Sequence, residues 1–289
     1  MKIKKLISAL VLGSMLVGLS GCNITDFSAE NLLRPPKAVG DEAEIEQLIA
    51  KTADSGYTLK YPKNGKFRSA IIMTDLDGND SNEAVAFFRN SAETSSVHML
   101  VMYSKDNSWE IASDNIFETT DIDSVDFADL TGNGKAEIIV NSTTYTPNVG
   151  KLSCYSYSEG KTNEVGSGQS CSSFVTGDFD NDGTSEIMSF VLYTTENEAL
   201  ASMLDYNEDS KSLYAKAMAN MDPNVVKYKN IAVTKLDNDI TGVVVDGTSA
   251  NEVTNTQVIF YSRDLAILRN PLFKEKAKNI TRRSSQIIC

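Results

Sequence analysis

A short acidic segment recurs along the chain at nearly constant spacing, and it constrains the fold more than any other feature. Its copies occupy residues 75–83, 129–137 and 178–186, and a degenerate copy occupies 235–243. The copies start 54, 49 and 57 residues apart. Self-similarity at a period of about 50 residues is typical of a repeat architecture, in which one structural unit is used several times.

Each copy lies between short apolar runs that are typical of β-strands. Ala70–Met73 and Ala84–Phe88 flank the first copy, and the rest of that period supplies two further runs, Val97–Tyr103 and Trp109–Ile111. Turn residues separate these runs. About four short strands in each unit of this length is the pattern of a propeller blade. We therefore predict an all-β fold, a β-propeller-like array of four-stranded blades over residues 56–289, with about four to five blades present.

The acidic copies place side-chain oxygens at positions 1, 3, 5 and 9. Calcium takes about six to eight oxygen ligands from carboxylates, amides and backbone carbonyls. Position 7 can add a backbone carbonyl, and a glycine at position 4 or 6 lets the backbone curl around an ion. The copies therefore predict structural calcium sites. The alternative is a set of solvated acidic turns that bind no metal.

The copies resemble the FG-GAP/VCBS repeats of integrin α-type propellers and of many bacterial surface proteins, whose pattern is Asp-x-Asp-x-Asp-Gly-x-x-Asp/Glu. The resemblance covers roughly residues 60–260. It implies calcium ligands at positions 1, 3, 5 and 9, which here are Asp75, Asp77, Asn79 and Glu83; Asp129, Thr131, Asn133 and Glu137; and Asp178, Asp180, Asp182 and Glu186. The third copy matches best, and the second has Thr131 where an acid is usual. The fourth has Lys235 and Val243 at its ends, so we expect it to bind no ion.

The N-terminus has the pattern of an export signal. Three lysines precede an apolar run of 14 residues, Leu6–Leu19, which is too short to span a bilayer. The following Ser-Gly-Cys22 completes a resemblance to the bacterial lipobox, which implies cleavage before Cys22 and lipidation of its sulfur. We expect a signal peptide over 1–21, a membrane-anchored tether over 22–40, and a body on the extracytoplasmic face of the cell membrane. A plain secretory signal is the alternative.

One helix is predicted between the tether and the array, over residues 41–55. Asp41 and Glu44 have the spacing of a capping box. The residues that fall on one helical face are Ile45, Leu48, Ile49, Thr52 and Ala53. We expect this face to pack against the first blade or to close one end of the array. A helix that binds a partner is the alternative.

Cysteine usage leaves one question open. Cys154 and Cys171 flank a turn-rich stretch, and outside the cell they can form a disulfide across neighbouring strands. Two free thiols are the alternative.

The spacing of the copies also predicts a fifth loop near residue 290. The final segment, residues 284–289 ending in Cys289, resembles a strand that leads into such a loop. We therefore expect the chain to be a fragment of a longer propeller.

Charge and composition narrow the function. The net charge is −12 and would become −15 after loss of the three N-terminal lysines, so nucleic acid is not an expected partner.

We favour a non-catalytic binding or scaffold module for a surface protein or glycan. A polysaccharide-acting lyase or hydrolase on the same scaffold is the alternative, and it needs a cleft with converging catalytic side chains. The one histidine, His98, lies in an apolar strand, and Trp109 is expected in the core, which favours the non-catalytic hypothesis. A solute-binding lipoprotein would have two α/β lobes, contrary to the repeats.

Overall fold

The computed structural model describes residues 40–53, 56–194, 196–237 and 239–269. The predicted signal peptide, Cys22, most of the tether, and the segment 284–289 lie outside these residues. The described residues form one helix and four antiparallel sheets, which confirms the predicted β class. No helix among them has the length and apolar character needed to cross a membrane.

The helix and strands follow one another in a repeating order. The helix α1 spans Asp41–Ala53. Sheet 1 contains β1 (Tyr57–Leu59), β2 (Ile71–Thr74), β3 (Glu83–Asn90), β4 (Val97–Lys105) and β5 (Ser108–Phe117). Sheet 2 contains β6 (Ile122–Ala128), β7 (Glu137–Thr143), β8 (Gly150–Ser158) and β9 (Lys161–Cys171). Sheet 3 contains β10 (Ser173–Gly177), β11 (Glu186–Tyr193), β12 (Glu198–Asn207) and β13 (Ser212–Asn220). Sheet 4 contains β14 (Val225–Asp237), β15 (Ile240–Ser249), β16 (Thr254–Tyr261) and β17 (Leu265–Arg269).

Every sheet is four strands wide, as the repeat length predicts. In sheets 2, 3 and 4 the strands pair in chain order. In sheet 1 two strands share one edge, because β1 pairs with residues 88–90 of β3 and β2 pairs with residues 83–86. Sheet 1 thus has five strands but is only four strands wide, because β1 and β2 together occupy the edge that a single first strand occupies in the other sheets.

The sheets pack face to face in chain order. In β7, Ile138 and Val140 belong to the core between sheets 1 and 2, whereas Ile139 belongs to the core between sheets 2 and 3. In β11, Ile187 packs toward sheet 2 and Phe190 toward sheet 4. Successive side chains of a strand point to opposite faces, so burial on both faces requires continuous apolar runs.

The helix covers the remaining face of sheet 1. Ile45, Ile49 and Ala53 are buried in one cluster with Phe88 of β3, and Trp109 packs in the same cluster. The predicted helical face and the predicted core position of the tryptophan are both confirmed. The observed helix ends at Ala53, and the last two residues of the predicted range lie outside the described part.

Neighbouring sheets also meet along their edges. The first strands β6, β10 and β14 contact one another in order, and so do the last strands β5, β9, β13 and β17. One edge contact is a hydrogen bond from the Thr176 hydroxyl of β10 to Asp126 of β6, at 2.8 Å. Sheets 2, 3 and 4 thus share an edge formed by their first strands, and all four sheets share an edge formed by their last strands.

The two internal cysteines are free thiols within the core. Cys154 is opposite Gly166 in the β8–β9 pair, and Cys171 is opposite Gly150. On β8 the two positions, Gly150 and Cys154, are four residues apart, which at about 3.3 Å per residue separates the cysteines by about 13 Å along the strands. A disulfide needs Cα atoms within about 7 Å, so the free-thiol alternative is correct. Burial raises the pKa of the Cys171 thiol to about 12, which keeps it unreactive.

Candidate metal sites

The three predicted acidic loops connect the first and second strand positions of sheets 1, 2 and 3. We name them loop 1 (residues 75–83), loop 2 (129–137) and loop 3 (178–186). The ninth residue of each loop is a glutamate that begins the next strand. These glutamates, Glu83, Glu137 and Glu186, are 3%, 1% and 0% exposed. An acid buried to this extent needs donors or a cation to stabilise its charge.

The same hydrogen bond fixes the glutamate in all three loops. Its Oε2 accepts the backbone N–H of the second loop residue, which is Leu76, Leu130 or Phe179, at 2.8 Å in each case. These second residues are themselves buried in the core. The core side chain at position 2 and the glutamate at position 9 therefore close each loop at its base.

Backbone curvature is also the same in the three loops. Positions 4 and 6 have positive φ throughout, and they are occupied by Gly78 and Asp80, Gly132 and Gly134, and Asn181 and Gly183. Glycine, asparagine and aspartate are the residues that adopt this conformation most readily. The backbone curl predicted from a glycine at position 4 or 6 is confirmed, and aspartate or asparagine takes the other position in loops 1 and 3.

The first aspartate of each loop accepts hydrogen bonds from the curled backbone. Asp75 accepts the N–H groups of Gly78 and Asp80 at 2.7 and 2.9 Å, and Asp129 accepts that of Gly134 at 2.8 Å. Partial desolvation opposes ionisation of Asp75, but these bonds outweigh it and lower its pKa. The backbone thus holds the first carboxylate in place and ionised.

Loop 3 gathers four carboxylates. Asp178, Asp180, Asp182 and Glu186 each have an oxygen within 4.8 Å of the others. Oδ1 of Asp178 and Oε1 of Glu186 are buried and accept no hydrogen bond. Burial raises the pKa of Glu186 to about 8, against the bond from Phe179, and the charges of Asp180 and Asp182 add to the rise. A divalent cation at their common centre would compensate this charge.

Loop 1 gathers three carboxylates in the same way. Asp75, Asp77 and Glu83 have oxygens within 4.8 Å of one another, and Oδ1 of Asp77 is buried without a donor. Burial raises the pKa of Glu83. Asn79 closes the turn by accepting the N–H of Ser81 at 2.7 Å through its side-chain oxygen.

Loop 2 has a different electrostatic balance. Only Asp129 and Glu137 are acidic at the ligand positions, and the Thr131 hydroxyl donates to Oε1 of Glu137 at 3.3 Å. Asn133 accepts the N–H of Lys135 at 2.8 Å. The side-chain oxygens of loop 2 therefore have more hydrogen-bond donors within the loop than those of loops 1 and 3 have.

The degenerate fourth copy does not keep the loop geometry. The strand β14 continues to Asp237, which pairs with Ile240, and Lys235 pairs with Thr241. The segment is a tight hairpin because it lacks the terminal aspartate that gathers the backbone N–H groups and the glutamate that closes the base. Residues 235–243 therefore keep the spacing of the repeat in the sequence but do not fold into a fourth loop of the same kind.

One cation beside loop 3 was missed by sequence reasoning. Lys216 of β13 forms ion pairs with Asp180 and, at 2.8 Å, with Asp205 of β12. A register shift in the β12–β13 pair leaves this lysine without a cross-strand partner and turns it toward the acids. No local sequence signal marks such a bulge. The pairing orients Asp180 and offsets part of the negative charge of the cluster.

A comparison of the sequence with protein-family models and with curated proteins gives no match. The interpretation of the loops therefore depends on their own geometry.

The loops also join neighbouring sheets. The N–H of Ala136 in loop 2 donates to the carbonyl of Leu76 in loop 1 at 3.0 Å, and the N–H of Ser185 in loop 3 donates to that of Asp129 at 2.9 Å. Asn181 of loop 3 donates its side-chain amide to the carbonyl of Asp239 in the fourth hairpin at 2.5 Å. Rigid loops thus connect each sheet to the next at one end of the array.

A pair of glycine substitutions tests the contact between loops 2 and 3. Gly132 and Gly134 have similar positive φ, 72° and 79°, but a Cβ at Gly132 would lie 2.8 Å from Cγ2 of Thr184, whereas nothing lies within 4 Å of one at Gly134. Gly134→Ala is expected to cost about 1–2 kcal/mol from backbone strain. Gly132→Ala is expected to cost at least about 1 kcal/mol more because Thr184 must move. Denaturant unfolding of both variants measures the difference, and equal losses would show that Thr184 does not restrict the space beside Gly132.

Proposed function

We propose that this chain is a lipid-anchored protein of the extracytoplasmic face, with a β-propeller-like body whose loops 1 and 3 bind structural calcium. Its function is to act as a non-catalytic binding or scaffold module for a surface protein or glycan. Cys22 carries the lipid. The observation that carries the proposal is the conserved geometry of the loops within this one chain, with buried carboxylate oxygens that lack donors at the points where sheets join.

The propeller interpretation is supported by the packing of the sheets. They are each four strands wide, they follow the chain order, and their first strands contact one another on one side. Sheets arranged radially around a common axis have this pattern of contacts between successive first strands. Calcium at the loop corners would fix the angle between successive sheets.

The choice of calcium follows from the donor set. The side chains at the ligand positions of loops 1 and 3 supply oxygens and neither sulfur nor imidazole, which is the donor class that calcium and magnesium prefer. Calcium tolerates the irregular, carboxylate-rich geometry of a curled loop, whereas magnesium requires a near-ideal octahedron. In loop 3 the ligands would be Asp178, Asp180, Asp182 and Glu186, and the bound ion would supply charge compensation.

A binding role is supported by the surroundings of His98. Its ring is 6% exposed, stacks on Phe88, and bonds through Nδ1 to Asp114 at 2.9 Å and through Nε2 to Glu93 at 3.3 Å. Both ring nitrogens are therefore engaged within sheet 1 and its adjoining turn. The imidazole has a structural role in this arrangement.

Calcium titration of the full-length chain tests the proposal. A ligand that binds only the folded state stabilises it by about 2.7 kcal/mol at one hundred times its Kd. For a body of this size we expect the melting temperature to rise by about 5–10 °C for one filled loop. Magnesium at the same concentration should give a smaller rise. An unchanged melting temperature in millimolar calcium, after treatment with a chelator, would contradict the proposal.

A further inference from the structure

A cavity of about 920 Å³ lies on the side of the array where the first strands meet. Its walls come from the segment 63–68, from the N-terminal halves of β6, β10 and β14, and from the loop that joins β7 to β8. The acidic loops follow the opposite, C-terminal ends of the first strands in sheets 1 to 3. The cavity is therefore separate from the candidate metal sites. Its volume lies in the upper part of the range for small-molecule sites, about 300–1,000 Å³.

The cavity has the opposite charge from the rest of the molecule. Five cationic and two acidic residues line it, in a protein whose net charge is −12. The cationic residues are Lys63, Lys66, Arg68, Lys227 and Lys229. Lys63 pairs with Asp121 at 3.1 Å and Lys66 with Asp126 at 2.7 Å. A local excess of positive charge in an acidic protein attracts anionic ligands selectively.

Three of these cations have no acidic partner. Arg68, Lys227 and Lys229 form no ion pair with any residue in the described part of the chain, and all three are exposed. Arg68 lies in the segment that precedes β2 of sheet 1, whereas the two lysines belong to β14 of sheet 4. The uncompensated charges are therefore distributed over opposite parts of the array. This distribution suits a ligand with several separated charges better than one compact anion.

The backbone around the cavity is well defined. Residues 63 and 64 donate their N–H groups to the carbonyls of Ile122 and Asp123 in β6, at 3.2 and 2.7 Å. In β14 the pairing register shifts between Val225 and Lys227 and again between Tyr228 and Asn230. Bulges change the direction of side chains and occur often beside binding sites. The strand therefore departs from regular pairing at the level of the cavity.

The neutral part of the lining is rich in hydroxyl and amide groups. Examples are Thr143, Thr144, Thr146, Asn148, Ser172 and Asn230. Tyr145 lies between two of these lining threonines, and its side chain is 93% exposed. An aromatic ring has an apolar face that can stack on the C–H face of a sugar, and a polar end that remains hydrated. Hydroxyl groups, amides and one exposed ring together suit a polyhydroxylated ligand.

We propose that this cavity binds an acidic oligosaccharide, a chain of hydroxyl-rich rings that carries several carboxylates. Arg68, Lys227 and Lys229 pair with the carboxylates, the threonine and asparagine side chains bond the hydroxyls, and Tyr145 stacks on one ring at the rim. The inference rests on the proposed function as a binding module and names the chemical class of its ligand.

Isothermal titration of the full-length chain with tetragalacturonate, at fixed free calcium, tests this inference. Two of the cavity lysines without an acidic partner are removed in Lys227→Gln/Lys229→Gln. The matched control is Lys161→Gln/Lys211→Gln, whose lysines are exposed and lie outside the cavity. We expect the Kd to rise at least tenfold in the first variant and to remain unchanged in the second. Tyr145→Ala should raise the Kd about threefold or more, whereas Tyr145→Phe keeps the ring and the affinity. Binding should weaken with added salt, because exposed charge pairs are screened.

Two further probes separate charge from sugar recognition. Methyl-esterified tetragalacturonate keeps the rings and loses the charges, and inorganic phosphate is a compact anion without hydroxyl-rich rings; both should bind at least tenfold more weakly. The inference is overturned if tetragalacturonate does not bind, if the cavity variant binds as well as the control, or if either probe binds equally well. The calcium-dependent rise in melting temperature is measured on the same samples. That rise without oligosaccharide binding overturns only this inference, and binding without that rise overturns only the calcium proposal.

Discussion

Glu186→Gln is expected to remove most of the calcium-dependent stabilisation due to loop 3 and to leave the calcium-free protein at least as stable as the native chain. Glutamine has nearly the same volume, and its carbonyl oxygen can still accept the N–H of Phe179. Because burial raises the pKa of Glu186 to about 8, its carboxyl is largely protonated at neutral pH when no cation is bound, and glutamine reproduces that neutral form beside the other three carboxylates. The substitution also replaces a charged ligand that can use both oxygens with a neutral one that has a single acceptor.

The largest effect is expected in saturating calcium. At one hundred times the native Kd, about 2.7 kcal/mol of stabilisation is lost if loop 3 no longer binds, which corresponds to a melting temperature about 5–10 °C below that of the native chain. Adding Glu83→Gln should remove the remaining response, since Glu83 is one of the three clustered carboxylates of loop 1. The measurement is thermal unfolding in a chelator and in millimolar calcium.

Glu198→Gln provides the matched control, because Glu198 is exposed at the start of β12. It should respond to calcium like the native chain. Equal destabilisation of Glu186→Gln in chelator and in calcium would mean that Glu186 acts only as the acceptor for Phe179. That result would remove the metal assignment of loop 3 and leave its structural description intact.

The parts of the fold that sequence reasoning identified correctly are those encoded locally. An aspartate followed by residues that tolerate positive φ specifies a curled loop, so the bounds of loops 1, 2 and 3 could be predicted from turn chemistry. The apolar runs beside them become strands because both of their faces are buried. Helix α1 was visible from its periodicity, and Ile45 and Ile49 are buried as that periodicity requires.

The parts that sequence reasoning did not identify depend on register and on distant contacts. Lys216 reaches Asp180 because a bulge shifts the pairing of β12 and β13, and neither strand has a signal for it. The cationic cavity combines Arg68 with Lys227 and Lys229, which are about 160 positions apart in the sequence. From the sequence alone, lysines near the C-terminal end of an acidic chain indicate only a solvated surface. Their proximity to Arg68 becomes visible only once the fold is known.

The largest loss of stability is expected from a core residue between sheets 3 and 4. Phe190 of β11 is 0% exposed, and its ring centroid lies 6.0 Å from that of Tyr228 in β14, at an interplanar angle of 67°. Phe190→Ala removes this contact and leaves a cavity, which typically costs about 3–5 kcal/mol. The melting temperature should fall by about 10 °C or more for a body of this size.

The control for this substitution is Ile116→Ala in β5, because Ile116 is 58% exposed and surface truncations typically change stability by less than about 0.5 kcal/mol. Denaturant unfolding at 25 °C gives the free energy for both variants. A loss for Phe190→Ala similar to that of the control would mean that sheets 3 and 4 do not share a core, contrary to face-to-face packing.

In an array of this kind the stability of the whole is roughly the sum of the stabilities of the units and of their interfaces, so a weakened interface should unfold first. We therefore expect the fluorescence of Trp109, which lies in sheet 1, to report a later transition than circular dichroism in Phe190→Ala, whereas the two signals should coincide in the native chain.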